Sequence, residues 1–211
     1  MTFELSQEEG ETLVKLARTA IEECLKNKKH ISIPQGVSEK LLQPCGVFVT
    51  INSVKKREKE LRGCIGYPYP TDPLAKAVIE SAISAATEDP RFYPLTLKEL
   101  DAVVLEVSVL TPPQKVEAKT PREYPVKIRV GEDGLIVEKG LFKGLLLPQV
   151  PIEWNWDTEE FLCQCCVKAG LSPDSWLLSG TKISKFQCVI AQETSPKGSV
   201  IVINPRGEKV A

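Results

Sequence analysis

The residues best suited to chemistry lie in one short run, Leu61 to Gly66. Side chains alternate along a β-strand, so Arg62, Cys64 and Gly66 are predicted to share one face of this strand. A guanidinium beside a thiol favours the thiolate, which is the nucleophilic form of cysteine. Gly63 and Gly66 allow backbone or ligand to approach closely. The same run also fits a buried, unreactive cysteine between bulge-forming glycines.

Three further places carry polar groups that could join such a site. Glu106 and Ser108 lie on the second face of a strand whose first face is wholly apolar, and they could act as a base and a hydrogen-bonding group. Asp89 could accept hydrogen bonds from Arg91 or from backbone amides in a turn that either binds a ligand or fixes the loop. Gln149 emerges at the end of an apolar strand. Each group also fits a purely structural or solvated role.

The sequence contains seven cysteines and a single histidine, His30, which limits the kinds of metal site it could form. Cys163, Cys165 and Cys166 share a predicted helix, but the sequence has no second close cysteine pair, so we predict no metal site. It also lacks a phosphate-binding glycine loop, a nucleophile elbow, a kinase signature and a zinc-protease helix. The absence of these motifs argues against the common nucleotide-binding and hydrolase classes. It does not decide whether the protein binds a cofactor or is an enzyme.

Charge and terminal sequence indicate the compartment. The formal charge of -1 argues against a general nucleic-acid binder, which needs a basic excess, and leaves only a local basic patch. The amino terminus lacks a basic stretch followed by an apolar run, and no segment supplies about 18 continuous apolar residues. An odd number of cysteines without framework spacing favours reduced thiols. We therefore predict a cytoplasmic protein without a membrane span.

Helices and short strands must position these residues. Ser6 and Glu9 form a capping box before an amphipathic helix that ends near Lys28. Strand-like runs at 46–52 and 61–67 flank a charged stretch, which predicts a hairpin with a solvated tip. The other predicted elements are strands at 102–110, 135–148 in two parts, 185–193 and 199–204, and helices from Thr71 to Asp89 and from Asp157 to Gly170.

Hairpins outnumber strand-helix-strand units in this order of elements. That pattern predicts an α+β fold with a mainly antiparallel sheet flanked by helices. A chain of 211 residues exceeds the usual single domain but falls short of two large ones. We therefore predict one domain over residues 1–211, with room for two lobes.

The motifs resemble those of the AMMECR family, named after a human chromosomal region linked to Alport syndrome and elliptocytosis. The resemblance covers about residues 6–193, and the six-residue run LRGCIG is specific to the family. The other matching positions are Asp89-x-Arg91-Phe92, Val107-Ser108-x-Leu110, Gly134, Leu147-Pro148 and Lys168-x-Gly170. The resemblance implies two intimately packed subdomains with LRGCIG near a cleft between them, and it implies no established reaction.

The resemblance also implies pathway partners. Prokaryotic genes of the family often lie beside genes for a Memo-like, dioxygenase-related protein and a radical S-adenosylmethionine protein, which hints at a shared modification pathway. The animal branch lacks an acid at the position of Glu106, often has histidine at Asp133 and exchanges Gln149 for glutamate. The missing acid counts against Glu106 as a general base. The exchange of Gln149 for glutamate favours a hydrogen-bonding role for Gln149 over a unique catalytic one.

Two functions fit these observations. In the first, the chain is a binding or accessory module for a small molecule, a protein or RNA, with Arg62 and Arg91 as anion contacts. In the second, it is an enzyme or enzyme subunit with Cys64 as a reactive thiol and Arg62 as the anion-binding group. The first is favoured because the sequence shows no complete catalytic constellation.

Overall fold

The computed structural model describes residues 4–55 and 58–210. Its helices are α1 (Gln7–Asn27), α2 (Leu74–Thr87), α3 (Leu97–Leu100), α4 (Tyr124–Lys127), α5 (Val150–Glu153) and α6 (Thr158–Lys168). Its strands are β1 (Gly46–Lys55), β2 (Glu58–Tyr67), β3 (Val103–Leu110), β4 (Gln114–Lys115), β5 (Gly134–Lys139), β6 (Phe142–Leu146), β7 (Lys182–Phe186), β8 (Cys188–Glu193) and β9 (Val200–Ile203). Short 3-10 helices cover Glu39–Leu42, Pro121–Glu123 and Pro173–Leu177.

The strands form two sheets within the described residues. One has the order β2-β1-β3-β8-β9, and the other has the order β4-β7-β5-β6. The β1–β2, β1–β3, β5–β6 and β5–β7 pairs are all antiparallel. Antiparallel sheets combined with helices confirm the predicted α+β class.

The chain divides into two compact units. The first unit holds the described residues up to Pro112 together with Val189–Ile203 and residues 209–210, and the second unit holds Pro113–Cys188 and Asn204–Glu208. The described residues include no helix that is long and apolar enough to cross a membrane. The intimate packing of two subdomains and a cleft at LRGCIG stay predictions.

The core of the first unit lies between two helices and one face of the five-stranded sheet. As predicted, Ser6 and Glu9 cap α1 reciprocally, and Lys28 ends it in the left-handed conformation. The periodic residues Leu13 and Ile21 are fully buried. Each buried side chain of this size contributes about 1.5–3 kcal/mol relative to exposure. They pack with α2 and with alternate residues of the central strands, namely Val47, Val49, Ile51, Leu105, Val107 and Val109.

The β1–β2 hairpin is also confirmed. Both strands extend further toward the turn than the sequence indicated, because the charged residues Lys59 and Glu60 pair with Val54 and Ser53. The predicted solvated tip covers the charged run 53–60, whose ends belong to β1 and β2 and whose residues Lys56 and Arg57 lie outside the described residues.

The predicted strand at 185–193 is wrong as a single element. Residues up to Phe186 belong to β7 in the four-stranded sheet, whereas Cys188 begins β8 in the five-stranded sheet. Ile183 and Phe186 of β7 are buried, Gln187 and Cys188 are partly exposed, and Val189 of β8 is buried again. No glycine or proline marks this break, so the pattern of residue types reads as continuous.

The second unit has a core of its own. Its β5 and β7 strands contribute Leu135, Val137 and Ile183, and α6 lays Phe161 and Leu162 against them. Gly144 of β6 lets α6 approach, because a Cβ there would lie 2.5 Å from the backbone nitrogen of Ala169. Asp157 caps α6 by accepting the Glu160 N–H, as the sequence predicted.

Candidate functional site

Gly63 brings the end of α2 against the hairpin strand β2. A Cβ at this position would lie 2.2 Å from the carbonyl oxygen of Ala85 in the last turn of α2. Side chains do not tolerate such a distance, so only glycine permits this approach. The turn that follows α2 is thereby placed beside Cys64.

Asp89 and Arg91, in that turn, bind the backbone of Cys64. Strand β2 lies at the edge of its sheet, where outward-facing N–H and C=O groups need other partners. The Cys64 N–H donates to Asp89 Oδ2 at 2.8 Å, and Arg91 Nη2 donates to the Cys64 carbonyl at 3.4 Å. Two side chains thus act in place of a neighbouring strand at the centre of the motif.

A bidentate ion pair holds this arrangement together. Arg91 Nε and Nη2 donate to the two carboxylate oxygens of Asp89 at 2.9 and 2.7 Å, and the Arg91 backbone N–H donates at 3.1 Å. The Asp89 side chain is 2% exposed and that of Arg91 is 47% exposed. Hydrogen bonds from Arg91 lower the pKa of Asp89 to about 2, although burial acts in the opposite direction.

Two guanidinium groups meet at the ring of Phe92. Arg62 Cζ lies 5.7 Å from the ring centroid, and Arg91 Cζ lies 5.5 Å from it. These distances are in the range of cation–π attraction. Arg62 Nε donates to Glu99 Oε1 at 3.0 Å. Among the described residues, none accepts a hydrogen bond from the Nη atoms of Arg62 or from Nη1 of Arg91.

A β-bulge changes the predicted faces of β2. Gly63 pairs with Ile51, but Leu61 pairs with Asn52, so Arg62 is an extra residue in the ladder. The alternation that put Arg62 beside the Cys64 thiol therefore does not hold at this point. Arg62 contacts Glu99 and Phe92 instead. The guanidinium that interacts electrostatically with Cys64 is that of Arg91, whose pKa is raised chiefly by its hydrogen bond to Asp89 and further by Cys64.

Cys64, Thr50 and Glu106 form one row across three neighbouring strands. Thr50 pairs with Cys64 on β2 and with Glu106 on β3. The Thr50 hydroxyl donates to Cys64 Sγ at 3.4 Å. Cys64 and Glu106 are two strand spacings apart, about 10 Å between backbones. Ser108 is buried next to this row, and its hydroxyl donates to Glu106 Oε1 at 3.3 Å.

Comparison with known proteins identifies the family. The family model described as AMMECR1 matches residues 14–191. The chain belongs to the AMMECR1 family. Protein PH0010 of Pyrococcus horikoshii is 53% identical to it over 201 residues, which cover 95% of this chain and 97% of that protein. A protein of Thermofilum pendens is 54% identical over 203 residues, which cover 93% of this chain and 95% of the relative.

A solved structure supports the fold of this AMMECR1-family chain. The crystal structure of uncharacterized protein PH0010 from Pyrococcus horikoshii matches with a TM-score of 0.92 and 52% sequence identity. The match covers 96% of this chain and all of that one. The similarity to an α+β structure therefore extends over nearly the whole chain, while the relatives' names give no activity.

The remaining predicted site residues of this AMMECR1-family chain have different surroundings. A Cβ at Gly66 would lie 2.1 Å from the Val47 carbonyl, so its glycine serves close packing within the hairpin. Gln149 belongs to the second unit, where its carbonyl accepts N–H groups of α5. Asp133, a position at which the animal branch often has histidine, is buried, and its carboxylate accepts a hydrogen bond from Lys185 Nζ at 3.0 Å. A site shared by Gln149 and the Arg62–Gly66 strand stays a prediction.

Two contact residues were missed in the sequence. Thr50 was detectable as the polar residue that alternates with Val49 and Ile51, which marks the second face of β1. Glu99 was detectable because Thr96 and Glu99 form a capping box at α3. Neither signal reveals that Thr50 meets Cys64 or that Glu99 meets Arg62, since those contacts join distant parts of the sequence.

The seven cysteines differ in their surroundings. Cys45, Cys165 and Cys166 are buried, and the other four are partly exposed. Burial raises the pKa of Cys165 to about 12 and that of Cys166 to about 11. Among the described residues, no three His, Cys, Asp or Glu side chains are grouped so as to hold a metal ion.

Proposed function

We propose that this AMMECR1-family chain is a binding module that recognises an anionic group through Arg62 and Arg91. The observation that supports this proposal is the convergence of two guanidinium groups on the ring of Phe92, with Nη donors left over. Guanidinium donors suit the oxygens of phosphate and carboxylate groups. Glu99 and Asp89 orient the two arginines, whose side chains are 17% exposed for Arg62 and 47% exposed for Arg91.

The charge balance limits the kind of binding. Each arginine already has a carboxylate partner, so long-range attraction of a polyanion is small. Recognition then depends on a few directed hydrogen bonds rather than on a broad basic field. If two phosphates of a single-stranded nucleic acid were engaged, the logarithm of affinity would fall with the logarithm of salt concentration with a slope of about -1.4.

Labelled single-stranded RNA is a suitable polyphosphate probe, followed by fluorescence anisotropy over a range of salt concentrations. We expect Arg62→Gln to weaken binding about tenfold or more, because a hydrogen bond to a charged group contributes about 1.5–3 kcal/mol. Arg129→Gln is the matched control, since Arg129 is an exposed arginine of the second unit that pairs with Glu132. Competition by inorganic phosphate would identify the anion as the recognised group.

The RNA version of this proposal has a clear contrary outcome. Affinity that is insensitive to salt, or an equal loss in Arg62→Gln and Arg129→Gln, would count against RNA as the ligand. Failure of inorganic phosphate to compete at any concentration would count against anion recognition by Arg62 and Arg91.

A second candidate function is thiol chemistry at Cys64. It is favoured by the Thr50 hydroxyl that donates to Cys64 Sγ, because a donor to sulfur stabilises the thiolate. The nearby guanidinium of Arg91 acts in the same direction. In this version Cys64 is a nucleophile or thiol carrier, and Arg91 takes over the role predicted for Arg62.

Alkylation by iodoacetamide at several pH values, measured for each cysteine by mass spectrometry, tests the thiol version. Cys24 and Cys163 are partly exposed internal comparisons. A midpoint for Cys64 clearly below the free-thiol value of about 8.5 would favour a functional thiolate over a packing role. A midpoint equal to that of Cys24 would assign Cys64 a packing role.

A further inference from the structure

The second unit displays a stacked pair of aromatic side chains. Trp154 and Trp156 stack with ring centroids 6.1 Å apart and an interplanar angle of 18°. Trp156 packs against the core of this unit, whereas Trp154 is 67% exposed. Trp154 is thus held by an anchored ring while its own surface is open to solvent.

The backbone around the pair is tightly hydrogen-bonded. The Trp156 N–H donates to the Pro151 carbonyl at 2.8 Å, and the Trp154 N–H donates to the Val150 carbonyl at 3.2 Å. Asn155, between the two tryptophans, has a left-handed φ of 52°. The exposed indole therefore stands on an ordered turn. Large exposed aromatic groups on ordered backbone are typical of interaction surfaces.

The sequence around the pair carries charge of one sign. Residues 144–167 contain four acidic residues and no lysine or arginine. Two of them serve α6, since Asp157 accepts the Glu160 N–H and Glu160 accepts Gln164. Glu153 and Glu159 make no ion pair with another described residue.

A cation beside this segment, Arg206, is engaged with other groups. Arg206 and Ile152 both lie next to Gly131, within 3.3 Å of the position that a Cβ would take there. Arg206 donates to the Val130 carbonyl at 3.0 Å and pairs with Glu132 at 3.8 Å. Within the described residues it forms no ion pair with Glu153 or Glu159.

We propose that the surface formed by Trp154, Trp156, Glu153 and Glu159, the aromatic–acidic surface, docks an arginine- or lysine-bearing segment of a partner protein. Tryptophan is the strongest side chain for cation–π contact, and the carboxylates supply the complementary charge. Phosphate groups would be repelled by the same carboxylates. The occupant therefore differs in sign from the anion proposed for Arg62 and Arg91, and the two proposals stand independently.

A fluorescent peptide of alternating arginine and glycine is the probe, titrated into the full chain and followed by anisotropy. The reference probe is the same peptide with citrulline in place of arginine, which keeps the shape and removes the charge. We expect saturable binding of the arginine peptide, weakened by salt, and at least about tenfold weaker binding of the citrulline peptide.

Trp154→Ala is the decisive variant, because the exposed side chain can be removed without opening the core. We expect it to weaken binding about threefold to thirtyfold, the range that corresponds to one cation–π contact. Glu159→Gln should weaken binding and reduce its salt dependence. Leu141→Ala, at another exposed apolar residue of the same unit, is the matched control and should bind as the wild type does.

Three results would overturn the proposal. They are the absence of saturable binding of the arginine peptide, equal binding of the citrulline peptide, and equal affinities of Trp154→Ala and Leu141→Ala. Circular dichroism of Trp154→Ala confirms that the variant is folded. If it is not, Trp154→Leu, which keeps apolar bulk but no aromatic face, replaces it and is expected to show the same loss.

Discussion

Replacing Asp89 with asparagine should destabilise the first unit by about 2 kcal/mol at neutral pH. Asp89 Oδ2 accepts hydrogen bonds from the Cys64 backbone N–H and from Arg91 Nη2. Asp89 Oδ1 accepts hydrogen bonds from the Arg91 backbone N–H and from Arg91 Nε. Asparagine keeps the size of the side chain but loses the charge and one acceptor. The amide nitrogen would face two donors and could accept from neither.

Two lines of reasoning give the same magnitude. The pKa of Asp89 falls from 3.8 to about 2 in the folded protein, and a shift of this size corresponds to about 2 kcal/mol of stabilisation by the charged form. Loss of a partner in a hydrogen bond to a charged group also costs about 1.5–3 kcal/mol. Water cannot compensate, because the side chain is 2% exposed.

Urea denaturation followed by far-UV circular dichroism measures this loss. With a slope of about 2 kcal/mol per molar urea, the midpoint of Asp89→Asn should fall by about 1 M. All three tryptophans, Trp154, Trp156 and Trp176, belong to the second unit, so circular dichroism is preferable to tryptophan fluorescence. Asp72→Asn is the control, since Asp72 forms an exposed pair with Lys76, and its midpoint should not change.

The pH dependence gives a second check with a definite sign. Because folding lowers the pKa of Asp89, its contribution is complete above the unfolded value and is lost as the pH falls through the folded value. The difference between wild type and Asp89→Asn should be constant above about pH 5 and shrink between about pH 4 and pH 2. Equal stability at neutral pH, or an undiminished difference near pH 2, would refute the reasoning.

Three further predictions concern the same unit and the buried thiols. Gly63→Ala should lower the free energy of unfolding, measured by urea denaturation, by about 1–3 kcal/mol, because the added Cβ would clash with the Ala85 carbonyl. Leu61→Ala on the same strand should lower it much less, and equal losses would contradict this prediction. Thr50→Val should slow alkylation of Cys64 at a fixed pH near neutrality by removing the hydrogen bond to sulfur, and an unchanged rate would show that this bond does not favour the thiolate. Cys165 and Cys166 should resist alkylation at mildly alkaline pH until urea unfolds the chain, since burial raises their pKa; labelling in the native protein would disprove their burial.

Local patterns in the sequence were sufficient to predict most of the helices and strands. The capping box at Ser6 and Glu9, the periodicity of α1 and the charged stretch between β1 and β2 act over a few residues, so residue types alone reveal them. The turn at Asp89 was also predictable in kind, because Asp89 accepts both Arg91 and backbone amides as expected.

Features that depend on contacts between distant residues were not predictable. The bulge at Arg62 changes the direction of one side chain, yet an arginine in an alternating strand carries no sign of it. The bond between Asp89 and the Cys64 N–H joins residues 25 positions apart, and it forms because Gly63 admits α2. The break at Gln187 likewise depends on which sheet each half joins.

The most direct test of the anion site is an NMR titration of the arginine side-chain N–H signals with inorganic phosphate at constant ionic strength. We predict that the Nε–H signals of Arg62 and Arg91 shift and saturate together, while that of Arg129 does not saturate. Unchanged signals for Arg62 and Arg91, or a response no different from that of Arg129, would contradict the proposed function.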